Sequence, residues 1–370
     1  MTAARHRVAI VGAGIVGLAH AWAAALRGDD VAVYEKDAQA NGASVRNFGL
    51  GLVLGQAPGE LLTLAQESRQ LWLEFLTASG CWHKAKGSLV VARSQAELDV
   101  LEAFQEACSQ LYGTALLSAA DVAEHQLKGL GALRSPNEIA VDARQAIATL
   151  ALWLQKQYGV QFHYGVQVKD IALPYIETNR GGRTADEVVI CSGHDFQTLY
   201  PTHFAALGIR RCALQMQRVA NPGICLDPAL MTGLSTLHYG AFTQCAALEA
   251  PLQALRREVQ EQAPALLEHG IHLIVQQVGK QGELIIGDSH VVADTLPPFN
   301  RADVDALILE LAEDVLQKPL QVTERWQGIY ASGRRPFEIV HPAASVQAIA
   351  ITSGIGMSIA FALARRNLSR

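Results

Sequence analysis

Gly12, Gly14 and Gly17 stand in G-x-G-x-x-G spacing, and Glu35 follows 18 residues after the last of them. Each glycine has its own physical job at a strand-to-helix junction. Gly12 allows the tight turn, Gly14 removes a Cβ where backbone approaches a pyrophosphate, and Gly17 lets helix and strand pack closely. An anion placed there meets unpaired helix N–H groups. A carboxylate at Glu35 can accept from both hydroxyls of an adenosine ribose, whereas a 2′-phosphate would meet like charge, so NADP is disfavoured. Ala13, Ile15 and Val16 between the glycines, and Lys36 after the acid, belong to the same candidate dinucleotide site.

These residues need a βαβ unit to position them, and the flanking sequence supplies one. Val8, Ile10 and Val11 suit a buried parallel strand. The Ala-rich segment predicts a helix to about Leu26 with Gly28 after its end, and Val31 to Tyr34 predict a second strand. Val8 to Leu26 is also an uncharged 19-residue run behind Arg5 and Arg7, which mimics a signal peptide or a membrane helix. Three glycines in its first half and the immediate return to a strand favour the βαβ reading, and with it a soluble, cytoplasmic protein.

With 370 residues, 50% of them hydrophobic and 18% charged, the chain is long enough for two domains and a large core. A net charge of −5 offers no electrostatic basis for nucleic acid or an anionic membrane. Cys81, Cys108, Cys191, Cys212, Cys225 and Cys245 are widely spaced without C-x-x-C, which predicts mostly buried thiols and neither zinc site nor disulfide framework.

Further along, Asn41 to Gly55 is a Gly- and Ser-rich loop able to bring backbone against a flat ligand. Helices are expected over 60–79, from Ser94 (a capping box with Glu97) to Tyr112, from Ser118, from Asp142 to Tyr158, over 251–263, over 303–316, and from the last Gly turn to Arg366. Strands are expected at 87–92, 161–164, 166–171, 187–190, 213–220, 271–277, 283–287 and 348–352. Val189 to Gly193 and Ser353 to Met357 repeat the pattern of an apolar strand entering a small-residue turn. Three such turns, at Gly12, Ser192 and Gly354, can surround one extended ligand, which favours a flavin over a nicotinamide dinucleotide.

On these residues the chain resembles, over nearly its whole length, the D-amino-acid oxidase, glycine oxidase and sarcosine oxidase group of FAD-dependent enzymes. Gly12 to Gly17 with Glu35 is similar to the group's N-terminal fingerprint. The stretch with Gly42, Ser44, Arg46, Asn47, Phe48 and Gly49 resembles its flavin-contacting loop, and Val168 matches the strand residue whose backbone meets the adenine. Ser192 and Gly193 resemble a later Gly turn, and Gly354, Ile355, Gly356, Met357 and Ser358 a C-terminal turn beside the flavin N1–C2=O locus. The resemblance implies an α/β fold with a discontinuous, Rossmann-like FAD-binding domain (1–82, 141–207 and 325–370). A substrate domain on a mostly antiparallel sheet (83–140 and 208–324) accompanies it.

Leu214 to Met216, Leu237 to Gly240, Gly287 to His290 and Trp326 to Tyr330 resemble a smaller branch associated with aminophosphonate breakdown. Two departures matter. Amino-acid-oxidising relatives carry a carboxylate-clamping Arg in the turn where this chain has Tyr330, and sarcosine oxidases carry a lysine where this chain has Ile285. The loop from Ser44 to Gly49 lacks histidine and no cysteine lies near Tyr330, so FAD is expected to be non-covalent. His238, Tyr239, His290 and Tyr330 are the candidate catalytic residues, with Gln215, Ser289 and Arg334 as candidate substrate contacts; no metal is expected. The reaction implied is oxidation of a small amine, an aminoalkylphosphonate or amino acid, by hydride transfer to flavin N5, then hydrolysis of the imine. The partners are that amine and O2 or another electron acceptor, with neither nucleic acid nor membrane; a homo-oligomer is compatible with this. The alternatives are N-demethylation of a modified nucleobase and a non-catalytic FAD-binding subunit.

Overall fold

The computed structural model describes residues 5–369. Its first strand, β1 (Arg7–Val11), leads into α1 (Ile15–Arg27) and then β2 (Asp30–Glu35), which pairs in parallel with β1. Gly28 takes the left-handed conformation at the end of α1, as its position after the last apolar residue requires. The remaining expected helices form close to their expected bounds: Glu60–Ser79, Gln95–Tyr112, Ala143–Tyr158, Glu249–Gln262, Ala302–Leu316 and Gly356–Leu368. Ser118 and Asp121 close a full capping box over a short helix, Ala119–Glu124.

The box at Ser94 closes on one side only. Ser94 Oγ accepts from the Glu97 N–H at 3.2 Å. The Glu97 carboxylate turns to Arg93 instead, accepting from its backbone N–H at 2.7 Å and its guanidinium at 3.0 Å. Glu97 is buried, and a buried carboxylate gains more from a cation than from a second backbone donor.

One fourteen-stranded sheet runs through the molecule. At one end β1 lies between β2 and Glu187–Ile190, all parallel, with Gln161–Tyr164 outside β2 and Val346–Ser353 beyond Glu187–Ile190. From Val346–Ser353 onward the pairing turns antiparallel, through the long strand Val322–Ala343, Arg210–Val219, Glu283–Gly287 and Ile274–Val278. The long strand corrects one expectation: Tyr330 lies inside it, opposite Cys212, and not in a turn. Its buried residues, Gly328, Ala331 and Glu338, do not fall at every second position, so the alternation that marks a strand in sequence is missing. The expected strands at 166–171 and 271–277 begin later, at Val168 and Ile274.

The core on the α1 face packs Trp22 edge-on to both Trp153 and Phe361, and joins α1 to the Glu60–Ser79, Ala143–Tyr158 and Gly356–Leu368 helices. These helices fix the N-termini that face the site.

Candidate active site

A cavity of about 560 Å³ runs from the glycines after β1 to the strand ends at His272 and Asp288. One end is built of backbone. Gly12 has φ +104°, and a Cβ there would lie 2.5 Å from the Cys191 carbonyl oxygen; a Cβ on Gly17 would lie 1.9 Å from the Gly12 carbonyl. Only glycine permits this crossing of strand, turn and helix. Helix α1 starts at Gly14 without a side-chain cap from that residue and with no acid in its first turn, an end suited to an anion.

Ser44, from the Gly-rich loop, accepts from the Ile15 N–H at 2.9 Å and ties that loop to the helix start. Asn47 locks the loop, donating to the Ala43 carbonyl and accepting from the Gly49 N–H. Glu35 accepts from the Ala13 and Asp37 N–H groups at 2.9 and 3.1 Å, which aims its carboxylate along the wall. Lys36 reaches the other side of the cavity, where its ammonium pairs with Asp195 beyond the Ser192 turn at 3.1 Å. The C-terminal turn is held from behind, with Trp72 Nε1 donating to the Met357 carbonyl and Ser358 Oγ accepting from the Leu52 N–H.

The other end is built of side chains. A backbone ladder, His272 N to Asp288 O and Asp288 N to His272 O, sets these two residues side by side, and His290 N donates to the His269 carbonyl. His272 and His290 stack with ring centroids 5.2 Å apart, His238 lies 4.5 Å from His272, and Tyr239 and Tyr330 meet the group edge-on. Burial, then the neighbouring His238 and His290, hold His272 well below the ordinary histidine range. His238 faces the open cavity, yet its depth and the His290 ring lower it to about 4. Burial raises Asp288 to about 6 against the pull of His290, and raises the Tyr239 and Tyr330 phenols.

The FAD dependent oxidoreductase family model matches residues 7–367. The chain belongs to that FAD-dependent oxidoreductase family. No curated protein matches it by sequence. Among solved structures it is similar to a glycine oxidase from Geobacillus kaustophilus (20% identity, 98% of this chain and 94% of that one, TM-score 0.76). It is also similar to an L-proline dehydrogenase from P. horikoshii (18%, 98% and 91%, 0.77). A third is the L-alpha-glycerophosphate oxidase of Mycoplasma pneumoniae, solved with FAD bound (17%, 99% and 94%, 0.72). At such identities the likeness is one of fold.

The residues fit the family's FAD. The α1 start with no acid in its first turn, the Glu35 carboxylate and the backbone turns at Ser192 and Gly354 all face one elongated cavity, and Gly14 leaves open the space a Cβ would fill 2.9 Å from Ser44 Oγ. Of the residues expected at this end, Gly12, Gly14, Ile15, Val16, Glu35, Lys36, Ser44, Arg46, Asn47, Phe48, Val168, Ser192, Gly193, Gly354, Ile355, Gly356, Met357 and Ser358 line the wall. Ala13 and Gly49 do not. The Ala13 N–H is taken by Glu35, and Gly49, at φ +75°, is needed where a Cβ would lie 2.0 Å from the Val141 carbonyl oxygen.

His238, Tyr239, His290 and Tyr330 are brought together as expected neighbours, but Gln215, Ser289 and Arg334 are off the wall. Gln215 is buried beneath it, donating to the Arg301 carbonyl and Asp305 and accepting from the Arg301 N–H. Ser289 hydroxyl accepts from the Gln215 N–H, and Arg334 is exposed. Gln215 and Ser289 point away because neighbours along an extended chain alternate between faces, and their neighbours Leu214, Asp288 and His290 line the wall; Arg334 lies farther along the long strand than the wall residue Tyr330. His272, Asp288, His194 and Gln56 also line the cavity. Asp288 stands in the Gly287 to His290 stretch and His272 in the strand expected at 271–277, and neither is singled out by the sequence as a site residue. Among the described residues no helix is long and apolar enough to cross a membrane.

Proposed function

We propose that this FAD-dependent oxidoreductase oxidises a small primary or secondary amine bearing a compact oxyanion, with an aminoalkylphosphonate as the preferred substrate. The observation that carries this reading is the make-up of the side-chain end of the cavity: His238, Tyr239, His272, Asp288, His290 and Tyr330. Arginine, the residue suited to gripping a planar carboxylate through two parallel hydrogen bonds, is missing from that set. The cationic side chains elsewhere on the wall are engaged, Lys36 with Asp195 and Arg46 with the Gln327 carbonyl. The Tyr239 and Tyr330 phenols and the neutral His238 ring, as dispersed donors, suit a tetrahedral head with three oxygens better than a flat one with two.

FAD, when bound, supplies the two-electron acceptor. The chain's task is to orient the amine carbon, keep the amine neutral and exclude bulk water until the carbon–nitrogen double bond has formed. Hydrolysis of the imine then releases a carbonyl product and an amine or ammonia. Tyr330 and Tyr239, whose phenols stay protonated across the working range, act as donors rather than bases. We further propose that FAD is held non-covalently and that an acceptor other than O2 serves the reduced enzyme, since the buried Ile285 stands where sarcosine oxidases carry lysine.

The test is anaerobic stopped-flow bleaching of the flavin band with aminoalkylphosphonates and their N-methyl derivatives against glycine, sarcosine and D-alanine. Phosphonates are expected to be faster. A tenfold advantage for D-alanine or sarcosine, about 1.4 kcal/mol of transition-state preference, refutes the head-group assignment. Bleaching by none of them leaves a non-catalytic FAD subunit, and bleaching only by N-methylated nucleobases leaves the demethylation reading.

A further inference from the structure

The geometry points to a divalent transition-metal site formed by His272, Asp288 and His290, whose open coordination positions face the cavity and bind the oxyanion head of the substrate. One donor atom from each of the three residues lies within 4.8 Å of the other two. His290 Nδ1 is 2.9 Å from the Gly270 carbonyl oxygen, which can only accept, so that nitrogen carries the proton. The Nε2 of the neutral ring is then a lone pair, and it faces Asp288 Oδ2 at 3.9 Å. Likewise His272 Nδ1 is engaged by Ser235 Oγ at 3.2 Å, and its Nε2 faces Asp288 Oδ1 at 3.6 Å.

Both separations are too long for hydrogen bonds. Asp288 Oδ1 is buried without a hydrogen-bond partner. With the His272 proton on Nδ1, donated to Ser235 Oγ, three acceptors converge on one point that lacks a positive charge, an arrangement costly in a buried place unless a cation fills it. Donors at 2.0–2.2 Å from a zinc-like ion are about 3–3.5 Å from one another, so donors up to 4.8 Å apart close by at most about 1.3–1.8 Å to hold the ion. His290, the least buried of the three, is the one with room to move.

The donor set selects the ion. Two imidazoles and one carboxylate suit a first-row divalent ion, whereas Mg2+ and Ca2+ prefer oxygen alone. The Gly270 carbonyl and Ser235 hydroxyl hold the ring nitrogens that do not ligate, the usual support for a metal-bound histidine. Three protein ligands leave at least one position for an outside oxygen. His238, Tyr239 and Tyr330 share the cavity wall with the three ligands, so that position opens where the substrate binds. The metal needs no change of oxidation state in this role. It rests on the proposed oxyanion substrate only for what it binds, not for whether it exists.

Equilibrium dialysis of the FAD-loaded protein against Zn2+, with bound metal counted by mass spectrometry, tests the site directly. One ion per chain is expected, with binding lost in His272→Ala and in the near-isosteric Asp288→Asn, and weakened about tenfold in Ser235→Ala. Retention of FAD and of the cooperative thermal transition shows that each variant is folded. Absence of Zn2+ binding by the folded wild type, or equal binding by the folded variants, overturns the site. The head-group role is read separately, from broadening of the methylphosphonate 31P line by the Co2+-loaded protein. No broadening overturns that role while leaving the amine-oxidation result untouched, because neither measurement depends on turnover.

Discussion

Replacing Gly14 with valine tests the phosphate end of the cavity with little disturbance elsewhere. Gly14 has φ −73° and ψ 177°, an extended conformation open to any residue, so the substitution carries no intrinsic backbone penalty. Its effect comes from space alone. The new Cβ would lie 2.9 Å from Ser44 Oγ, too close to stay, and Ser44 would swing away from the Ile15 N–H it now accepts at 2.9 Å. That neutral hydrogen bond is worth about 1 kcal/mol, a cost shared by free and FAD-bound protein. The γ-methyls then occupy the approach of the pyrophosphate, forfeiting one or two charge-assisted bonds of about 1.5–3 kcal/mol each. Only the second loss changes FAD affinity, by about 1.5–6 kcal/mol, or roughly tenfold to more than 10,000-fold in Kd. The assay is FAD titration of apoprotein followed by the flavin-to-protein absorbance ratio after desalting. Adding Ser44→Gly to Gly14→Val separates the two terms: relief of the Ser44 clash should leave most of the FAD defect. Full FAD occupancy of the valine variant refutes the placement of the pyrophosphate against Gly14.

Glu35→Ala should weaken FAD by about tenfold, through loss of a ribose acceptor and release of the Ala13 N–H, without gain of NADP binding; titration of the apoprotein with both dinucleotides checks it. Glu138, buried and accepting from the Val53 and Leu54 N–H groups and Ser88 Oγ, anchors the segment whose Leu52 lines the cavity. Glu138→Ala strands those donors and should cost about 3–5 kcal/mol in urea unfolding, and an unchanged midpoint refutes this. His20 is buried, donating from Nδ1 to the Val16 carbonyl and facing Asn367, Cys191 and the charge of Glu187. Burial depresses its folded pKa to about 4, below the unfolded value of about 6.5, so the unfolded chain binds more protons between them. Stability should therefore fall as pH drops through that window, by up to about 3 kcal/mol, and His20→Gln should flatten the slope in urea titrations from pH 7 to 4.

The backbone end of the site was legible because its chemistry is written in conformation. A glycine whose Cβ would strike a carbonyl at 1.9 Å can be recognised from spacing alone, since no other residue survives at Gly17. The same holds for α1, whose strand, turn and helix occupy one contiguous stretch, and for Asp142, which caps its helix by accepting from the Arg144 and Gln145 N–H groups. Gln215 shows the limit. Its place beside Met216 in a strand was readable, but which face it presents depends on register with Trp326 and Gly287, residues more than seventy positions away. A one-residue difference in that register exchanges cavity for core.

The side-chain end is harder to read for a related reason. His238 ends a 3-10 turn, His272 precedes one strand, and Asp288 and His290 follow another, so no local pattern joins them. What joins them is the backbone exchange between His272 and Asp288, which continues the pairing of Ile274 with Gly287 past the ends of the regular strands. Such an extension leaves both side chains at the lip of the sheet, where they meet whatever lies across the cavity rather than the core. The sheet itself therefore sets only the position of the lip; the chemistry offered there is decided by the few residues flanking each strand. In this chain those residues are two imidazoles beside one carboxylate, with Tyr330 on the long strand edge-on to His290.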